Sequence, residues 1–158
     1  LQRHSFPTRR SSDLSEYEAI RPVDKRDYYS VSAAQRRLYT LFEIDKTGTE
    51  YNMPICMEVK GKLDVRKIQE VVNKLVERHE GLRTHFTIRD EEIVQIVNDD
   101  IEVNIEIFDY EDMNLIMNKL IKPFDLNKAP LYRVGLVSKG EDNHILIFDM
   151  HQDRKSVV

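Results

Sequence analysis

The sequence predicts an α/β fold, a two-layer sandwich in which helices pack on a mixed or antiparallel sheet. The predicted elements follow one another as helix, strand, helix, strands, helix, strands. Two pairs of apolar segments flank short polar turns, which is typical of β-hairpins. The segment 144–151 holds five large apolar residues without alternation, and this pattern indicates a central strand covered on both faces.

The first helix is predicted to begin at Ser32 and to end near Asp45. Ser32 and Gln35 have the spacing of a capping box, in which the hydroxyl accepts from the backbone N–H and the amide reaches back. The predicted buried face follows helical spacing and consists of Ala34, Leu38, Leu41 and Phe42.

A strand is predicted over 53–59, and Pro54 places it at a strand start or a sheet edge. Asp64 is the predicted N-cap of the second helix. Its predicted buried stripe consists of Ile68, Val71, Val72, Leu75 and Val76. Burying these side chains stabilises by on the order of 10 kcal/mol. Ordering the helix backbone costs roughly 1–2 kcal/mol per residue, so the helix must lie on a sheet.

The remaining predicted elements are two hairpins, one single strand and one helix. The predicted hairpins join 84–88 to 93–97 and 131–138 to 144–151, and a half-buried strand is predicted over 101–107. A third helix is predicted from Asp112 through Ile121, where Pro123 stops it, with Leu115, Ile116 and Leu120 on one face.

Composition favours one soluble globular domain. The 158 residues are 41% hydrophobic and 33% charged. No apolar run approaches the roughly 20 residues of a membrane span, and no signal peptide begins the chain, so we expect a cytoplasmic protein without membrane contact. A single cysteine, Cys56, excludes an internal disulfide, and no Cys/His spacing suggests a metal.

Both termini are expected to be foreign to the domain. Residues 9–14 can be encoded by CGACGCTCTTCCGATCT plus one base, and the reverse complement of that DNA encodes residues 153–157 and leads into Val158. The DNA resembles a common sequencing adapter. We therefore expect residues 1–14 to be an adapter-derived or disordered tail, residues 153–158 to be an adapter-derived tail, and residues 15–152 to be the truncated domain.

Removing the two tails changes the charge and the identity expected at position 152. The tails hold five of the 24 basic and two of the 28 acidic residues, so the net charge changes from −4 to −7. This acidic balance argues against nucleic-acid binding. If the adapter supplied the last base of codon 152, the native DNA supplied only the first two bases, CA. With a pyrimidine as the third base, this codon encodes histidine in place of Gln152.

Three stretches resemble the core motifs of nonribosomal peptide synthetase condensation domains. Residues 32–39, S-A-A-Q-R-R-L-Y, resemble the first motif, S-x-A-Q-x-R-L-[WY]. Residues 78–86, R-H-E-G-L-R-T-H-F, resemble the second, R-H-E-x-L-R-T-x-F, at every fixed position. Residues 124–133 resemble F-D-L-x-x-x-P-L-x-R, and Met150 and His151 stand where M-H-H-x-x-x-D-G begins. The resemblance covers nearly all of 16–151.

The resemblance implies an acyltransferase-type enzyme of secondary metabolite biosynthesis that forms an amide bond between two carrier-bound thioesters. It implies a fold like chloramphenicol acetyltransferase, of which this chain holds most of the N-terminal lobe and lacks the C-terminal lobe. The implied partners are donor and acceptor peptidyl carrier domains, each with a 4'-phosphopantetheine arm, and an adenylation domain. No cofactor is expected on the domain itself.

The resemblance also assigns roles to the motif residues. His151 is expected to support the site, whereas the second histidine of the motif carries the chemistry and Gln152 stands in its place, so the chain as it stands is expected to be inactive. Arg78 and Arg83, with His79 and Glu80, are expected to hold the core together near the third motif. The first motif contributes Ser32, Gln35 and Arg36.

Plainer interpretations of the same residues stay open. Ser32 and Gln35 suffice as a helix cap, the charges of residues 78–80 suit a solvated helix end or a structural ion pair, and His85 and His144 suit sheet positions. Rival functions are an epimerisation domain and a catalytically dead condensation-like module that recruits partners. A native histidine at position 152 favours an enzyme, and a native glutamine favours recruitment.

Overall fold

Two β-sheets and three α-helices form the part of the chain that the structure describes. This computed structural model describes residues 23–157, and the side chains of residues 23–154. In chain order the elements are β1 (Tyr29–Ser30), α1 (Ala33–Ile44), β2 (Asn52–Lys60), α2 (Val65–Arg78), β3 (Thr84–Arg89), β4 (Glu92–Val97), β5 (Glu106–Asp109), α3 (Met113–Leu120), β6 (Tyr132–Gly140) and β7 (Asn143–His151). Two 3-10 turns, Glu80–Arg83 and Gln152–Val157, follow α2 and β7.

The large sheet has the strand order β2-β7-β6-β5. Strand β7 pairs antiparallel with β2 and β6 over its whole length, which confirms the predicted central strand. Strand β5 pairs parallel with β6, so the sheet is mixed. Strand β2 lies at the edge, where the missing N–H of Pro54 is tolerated, as predicted.

The strands β1, β4 and β3 form a separate small sheet. Its hairpin turns at Asp90 and Glu91, whose φ angles of 50° and 65° suit the tight two-residue turn between twisted strands. The α/β class is as predicted, but the pattern of apolar residues does not predict that the strands divide into two sheets. The backbone N–H of Phe86 in β3 donates to the Leu126 carbonyl (2.8 Å), which ties the small sheet to the chain segment before β6.

Helices α2 and α3 cover opposite faces of the large sheet. Val72 and Val76 of α2 pack in a cluster with Tyr132 and Val134 of β6, and α3 packs Ile116 and Leu120 on the other face. The absence of a side chain at Gly135 lets Leu120 approach β6, since an added Cβ would lie 2.7 Å from Leu120 Cδ2. The predicted α2 stripe is too wide, because Val71 and Leu75 are exposed.

The predicted strand over 101–107 is largely wrong, because only β5 forms there. Its alternating pattern does bury Val103, but the backbone finds a side-chain partner in place of a strand. The Gln69 side chain on α2 donates to the Val103 carbonyl and accepts from the Ile105 N–H at 3.0 Å. One glutamine therefore satisfies backbone groups that a strand ladder would otherwise use.

The bounds of α1 agree with the prediction, but its buried face is rotated. Tyr39 and Phe42 are buried, whereas Ala34 is exposed and Leu38 and Leu41 are half-buried. Tyr39 and Phe42 share a core cluster with Phe86, Phe124, Leu126 and Leu131. This cluster joins α1 to the small sheet and to the chain segment before β6.

The predictions for residues 1–22 lie outside the described residues. At the other end, Asp153 and Arg154 are buried within the turn that follows β7. Within residues 23–157, no helix is long and apolar enough to cross a membrane. The same part of the chain contains no group of three His, Cys, Asp or Glu side chains placed to hold a metal ion.

Candidate functional site

A groove of about 930 Å³ brings together residues of the first and second motifs and Arg154, which follows the third-motif positions His151 and Gln152 in the chain. We call it the motif groove. Its lining includes Gln35 from α1, Arg78, His79, Glu80, Gly81 and Arg83 from the end of α2 and the turn after it, and Arg154 from the turn after β7. Lys25, Tyr29 and Gln95 complete much of the wall on the side of the small sheet. Residues that lie more than 70 positions apart thus share one surface.

The first motif acts mainly as a helix cap. The predicted capping box is present, with Gln35 N–H donating to Ser32 Oγ (3.2 Å) and Ser32 N–H donating to Gln35 Oε1 (2.8 Å). The Gln35 amide nitrogen also reaches Gln95 Oε1 at 3.4 Å, which places it in the groove wall. Arg36 is exposed and does not line the groove.

The two arginines of the second motif differ in their surroundings. Arg83 is half-buried and donates from all three nitrogens to backbone carbonyls, those of Val76, Asn98 and Glu77 at 3.2, 2.6 and 3.3 Å. Arg78 is exposed and lines the motif groove. Neither forms an ion pair with a described carboxylate. Arg83 therefore holds the end of α2 to the segment after β4, while Arg78 offers its charge to the groove.

The intervening residues form the turn that ends α2. His79 is the C-cap, with its N–H donating to the Leu75 carbonyl (3.0 Å), and the Glu80 carbonyl accepts from Thr84 Oγ1 (2.7 Å). His85 lies in β3 with Nδ1 2.8 Å from the Asn98 amide, and His144 lies in β7. Both histidines occupy sheet positions, as the plainer interpretation of the sequence expects.

His151 is the last residue of β7 and is only 5% exposed. The N–H of Asp153 donates to its Nδ1 (3.3 Å), so the neutral ring carries its proton on Nε2. Tyr51 and Phe124 flank the ring, with centroids 6.1 and 6.3 Å away. The ring also lines a small cavity of about 240 Å³ beside the end of α1.

Burial sets the charge state of His151. Burial, together with a smaller contribution from the positive charge of Arg154, lowers the pKa of the imidazole to about 4. Removal from water disfavours the charged form, and a nearby cation acts in the same direction. The imidazole is therefore neutral at pH 7, which suits a hydrogen-bonding role better than that of a proton donor.

Gln152 follows the buried His151 and differs from it in exposure. It is exposed, and its backbone N–H donates to the Tyr51 carbonyl (2.8 Å), extending the β2–β7 ladder by one bond. Neither His151 nor Gln152 lines the motif groove. In the structure, the second-motif residues and Arg154 therefore share the groove. The two third-motif positions, 151 and 152, directly precede this part of the chain and do not line the groove.

A buried polar cluster near His151 is absent from the sequence predictions. Asp149 is fully buried, and its Oδ2 accepts from Arg133 Nη1 (2.9 Å) and from the Asn52 amide (2.7 Å). Arg133 also donates to the carbonyls of Lys122 (2.6 Å) and Pro123 (2.8 Å), and it stacks 3.8 Å from the Phe124 ring centroid. The sequence does contain one signal for this cluster, an aspartate inside an apolar strand. A buried carboxylate needs a hydrogen-bonding or charged partner.

Two opposed effects act on the ionisation of this pair. Burial raises the pKa of the Asp149 carboxyl, while Asn52 and Arg133 lower it. Burial likewise lowers the pKa of Arg133, and Asp149 opposes that change. The cluster fixes the ends of β2, β6 and β7 immediately before His151.

The fold and the groove define an α/β domain in which separated sequence motifs meet beside a buried histidine. The family model described as "Condensation domain" matches residues 25–152, and this chain belongs to that family. Bacitracin synthase 3 of Bacillus licheniformis is 38% identical over 144 residues, and gramicidin S synthase 2 of Brevibacillus brevis is 41% identical over 142. These matches cover 90% and 89% of this chain but only 2% and 3% of those proteins.

Solved structures share the fold. The X-domain from teicoplanin biosynthesis has a TM-score of 0.74 and 22% identity, with 86% of this chain and 30% of that chain covered. A four-domain nonribosomal peptide synthetase bound to AMP and glycine has a TM-score of 0.72 and 23% identity, with 90% and 11% covered. The starter condensation domain of rhizomide synthetase has a TM-score of 0.72 and 15% identity, with 80% and 32% covered. This chain thus spans about a third or less of each solved chain.

Proposed function

We propose that residues 15–152 form the N-terminal part of a condensation domain that joins two thioester-bound groups through an amide bond. The match of the family model to residues 25–152 carries this proposal. In the reaction, the acceptor's α-amino nitrogen attacks the donor's thioester carbonyl, the C–N bond forms, and the donor's carrier thiol leaves. The nitrogen's proton is removed as the amide forms.

The substrates we propose are a donor acyl or peptidyl group and an acceptor aminoacyl group on two carrier domains with phosphopantetheine arms. An adenylation domain and the rest of the condensation domain are further partners. Kinship with synthetases such as those for bacitracin and gramicidin S supports these assignments. Holding two arms end to end supplies the effective concentration on which such a reaction depends.

The residue roles we propose follow the placement in the structure. His151 is a neutral supporting residue, because its Nδ1 accepts from the backbone N–H at position 153 and its ring is enclosed by aromatic side chains. Position 152, whose side chain is exposed beside it, is the place for the catalytic histidine. With glutamine there, the chain lacks an imidazole for acid–base help, which is worth roughly 10²–10⁴-fold in rate.

The decisive experiment uses the intact domain that contains residues 25–152, with histidine at position 152 and two loaded carrier domains. We expect an amide-linked product on the acceptor carrier, and a rate roughly 10²–10⁴-fold lower when position 152 is glutamine. Glu58→Gln on the exposed edge strand is a matched control that leaves the rate unchanged. Absence of product from the domain with both histidines intact would disprove the enzymatic proposal.

A second candidate is a condensation-like module that recruits other proteins without catalysis. Two observations favour it: Gln152 stands at the catalytic position, and the similar X-domain from teicoplanin biosynthesis has been solved in complex with OxyB. Genomic DNA across codon 152 separates the candidates. A histidine codon followed by the rest of the third motif supports the enzyme and the foreign origin of residues 153–158, and a native glutamine codon supports recruitment.

A further inference from the structure

A polar cluster joins three strands at the end of β7, two residues before His151. Strand β7 lies between β2 and β6, and across these strands His151 pairs with Asn52 while Asp149 pairs with Arg133. Alternate residues of a strand point to the same face, so Asp149 and His151 share one face of the sheet. We call Asn52, Arg133 and Asp149 the strand-end cluster.

One arm of the strand-end cluster fixes β2 beside the end of β7. The side-chain amide of Asn52 donates to Asp149 Oδ2 (2.7 Å) and to the Lys122 carbonyl (3.0 Å). The carbonyl of the preceding residue, Tyr51, accepts from the N–H of Gln152 (2.8 Å). The segment that holds the backbone of position 152 is therefore itself held by a buried carboxylate.

The other arm runs from Arg133 to the ring of His151. Arg133 donates to two carbonyls of the loop before β6, those of Lys122 (2.6 Å) and Pro123 (2.8 Å). Its guanidinium carbon lies 3.8 Å from the ring centroid of Phe124. The Phe124 ring meets the imidazole of His151 edge-on, at an interplanar angle of 85°. Arg133 thus fixes both the loop and the aromatic ring that bounds the imidazole.

We propose that the three members of the strand-end cluster are positioning residues, which set the orientation of the His151 imidazole and of the backbone that presents position 152. The inference rests on the proposed function, because it assigns these residues to amide-bond formation. None of the three lines the motif groove, so they act through their neighbours. A reacting group must be held within about 0.5 Å of its productive position, and hydrogen-bonded side chains packed behind it provide that precision.

The contacts of the cluster favour positioning over stability alone. Replacing a buried ion pair by apolar side chains of similar volume is often neutral or stabilising, so the pair of Arg133 and Asp149 is weak evidence for a purely stabilising role. Apolar side chains cannot supply direction, whereas the planar guanidinium joins a carboxylate, two carbonyls and a ring, each with a defined geometry. Changes in the cluster should therefore lower the rate beyond their effect on stability.

The first experiment measures kcat and KM of amide formation in the intact domain with histidine at position 152. Arg133→Met and the double variant Arg133→Met/Asp149→Asn should each lower kcat by roughly 10²-fold, the loss that a misplacement of about 1 Å causes. The KM for the carrier domains should change by less than about threefold, because the carriers do not contact the cluster. The double variant regains stability by removing the unpaired carboxylate, but it should stay slow.

Two control variants separate positioning from loss of stability. Ile116→Ala on α3 removes a fully buried side chain, so it destabilises the domain while it leaves the strand-end cluster intact. Measured where the domain is folded, its kcat should stay within about threefold of the unaltered domain. Arg66→Met breaks an exposed pair with Asp64 and should change neither kcat nor stability. A fall in kcat for Ile116→Ala equal to that for Arg133→Met overturns the inference, and so does recovery of kcat in the double variant.

A spectroscopic measurement on the full chain tests the cluster without product formation. In the unaltered chain, nuclear Overhauser effects between the ring protons of His151 and Phe124 should report the edge-on contact. The double variant should weaken them and broaden the His151 ring signals, whereas Ile116→Ala should leave both unchanged. Absence of these effects in the unaltered chain, or unchanged His151 signals in the double variant, overturns the inference. Absence of product from the intact domain would instead disprove the proposed function.

Discussion

Two arginines, the half-buried Arg133 and the buried Arg154, lie in environments that resemble each other but satisfy the guanidinium to different degrees. Each lies beside an aspartate and over a phenylalanine ring, at 3.8 Å from Phe124 and at 5.0 Å from Phe86. Arg133 adds two backbone carbonyls, and its partner Asp149 also accepts from Asn52. Arg154 adds one carbonyl, and its Nε has no hydrogen-bond acceptor among the described residues. The surroundings of Arg133 therefore satisfy its guanidinium more completely than those of Arg154 do.

The largest expected effect tests the pair of Arg133 and Asp149. Arg133→Met leaves the Asp149 carboxylate buried without its cation, and we expect a loss of about 3–5 kcal/mol in the free energy of unfolding. Arg154→Met also leaves a buried carboxylate, that of Asp153, without its cation, but it removes the unsatisfied Nε as well, so we expect a smaller loss of about 2–3 kcal/mol. Urea unfolding midpoints measure both changes.

The double variant Arg133→Met/Asp149→Asn is the control for that comparison. It removes the stranded charge while keeping an oxygen for Asn52, so it should recover part of the loss. Equal costs for Arg133→Met and Arg154→Met would contradict the distinction between the two arginines.

The second prediction concerns pH and the histidine that lies near Arg154. The folded state lowers the pKa of His151 to about 4 from the ordinary value of 6.5, so the folded chain binds fewer protons there than the unfolded chain. Its contribution is complete above pH 6.5 and is lost as the pH falls toward 4. The loss is on the order of 3 kcal/mol.

The measurement is the free energy of unfolding between pH 7 and pH 4 for the unaltered chain and for His151→Asn. The asparagine keeps an acceptor for the Asp153 N–H and cannot titrate, so the difference between the curves isolates His151. Arg154→Met should raise the pKa of His151, since it removes the nearby cation. An unchanged His151 titration in that variant would show that the charge of Arg154 does not act on the histidine.

The third prediction adds a third arginine to the comparison. Arg83 bonds three backbone carbonyls with a planar fork that a lysine ammonium cannot reproduce, so Arg83→Lys should cost roughly 2 kcal/mol. Arg78→Lys, on the exposed side of the same turn, should change stability by less than about 0.5 kcal/mol. Chemical unfolding of the two variants gives the difference, and equal costs would exclude the structural role of Arg83.

The smallest expected effect compares the rings. A double-mutant cycle of Phe124→Leu with Arg133→Met should give a coupling energy of about 1–2 kcal/mol, and Phe86→Leu with Arg154→Met about 0.5–1 kcal/mol. The shorter distance at Phe124 is the reason for the order. The reverse order in unfolding free energies would show that ring distance does not govern these contacts.

Local patterns predicted most of the elements. The capping box of Ser32 and Gln35 and the N-cap of Asp64 placed α1 and α2, because a cap involves residues within one turn. The hairpins followed from apolar segments around polar turns. The strand over 101–107 was wrong because its backbone bonds to Gln69, more than thirty residues earlier, and no local pattern shows such a partner.

The site was predictable only where motifs carried it. The second-motif arginines were expected to hold the core together near the third motif, and that role stays a prediction; Arg83 donates to backbone carbonyls of α2 and of the segment after β4, while Arg78 is exposed at the groove. Asp149 and Arg133 were missed as a pair, since an aspartate in an apolar strand shows that a partner exists but not which one. The adapter-derived origin expected for residues 153–158 stays a prediction, and the burial of Asp153 and Arg154 was not foreseen from the sequence.

The sequence by itself determined the family, the order of the elements and the position of β7, because these depend on periodicity, caps and motifs within short windows. Tertiary structure alone decided the division into two sheets, the cluster of Asn52, Arg133 and Asp149, and the enclosure of Arg154 against Gly81. Their contacts join residues up to 97 positions apart. Which distant groups meet depends on how sheets and helices pack, and that packing is a property of the whole chain.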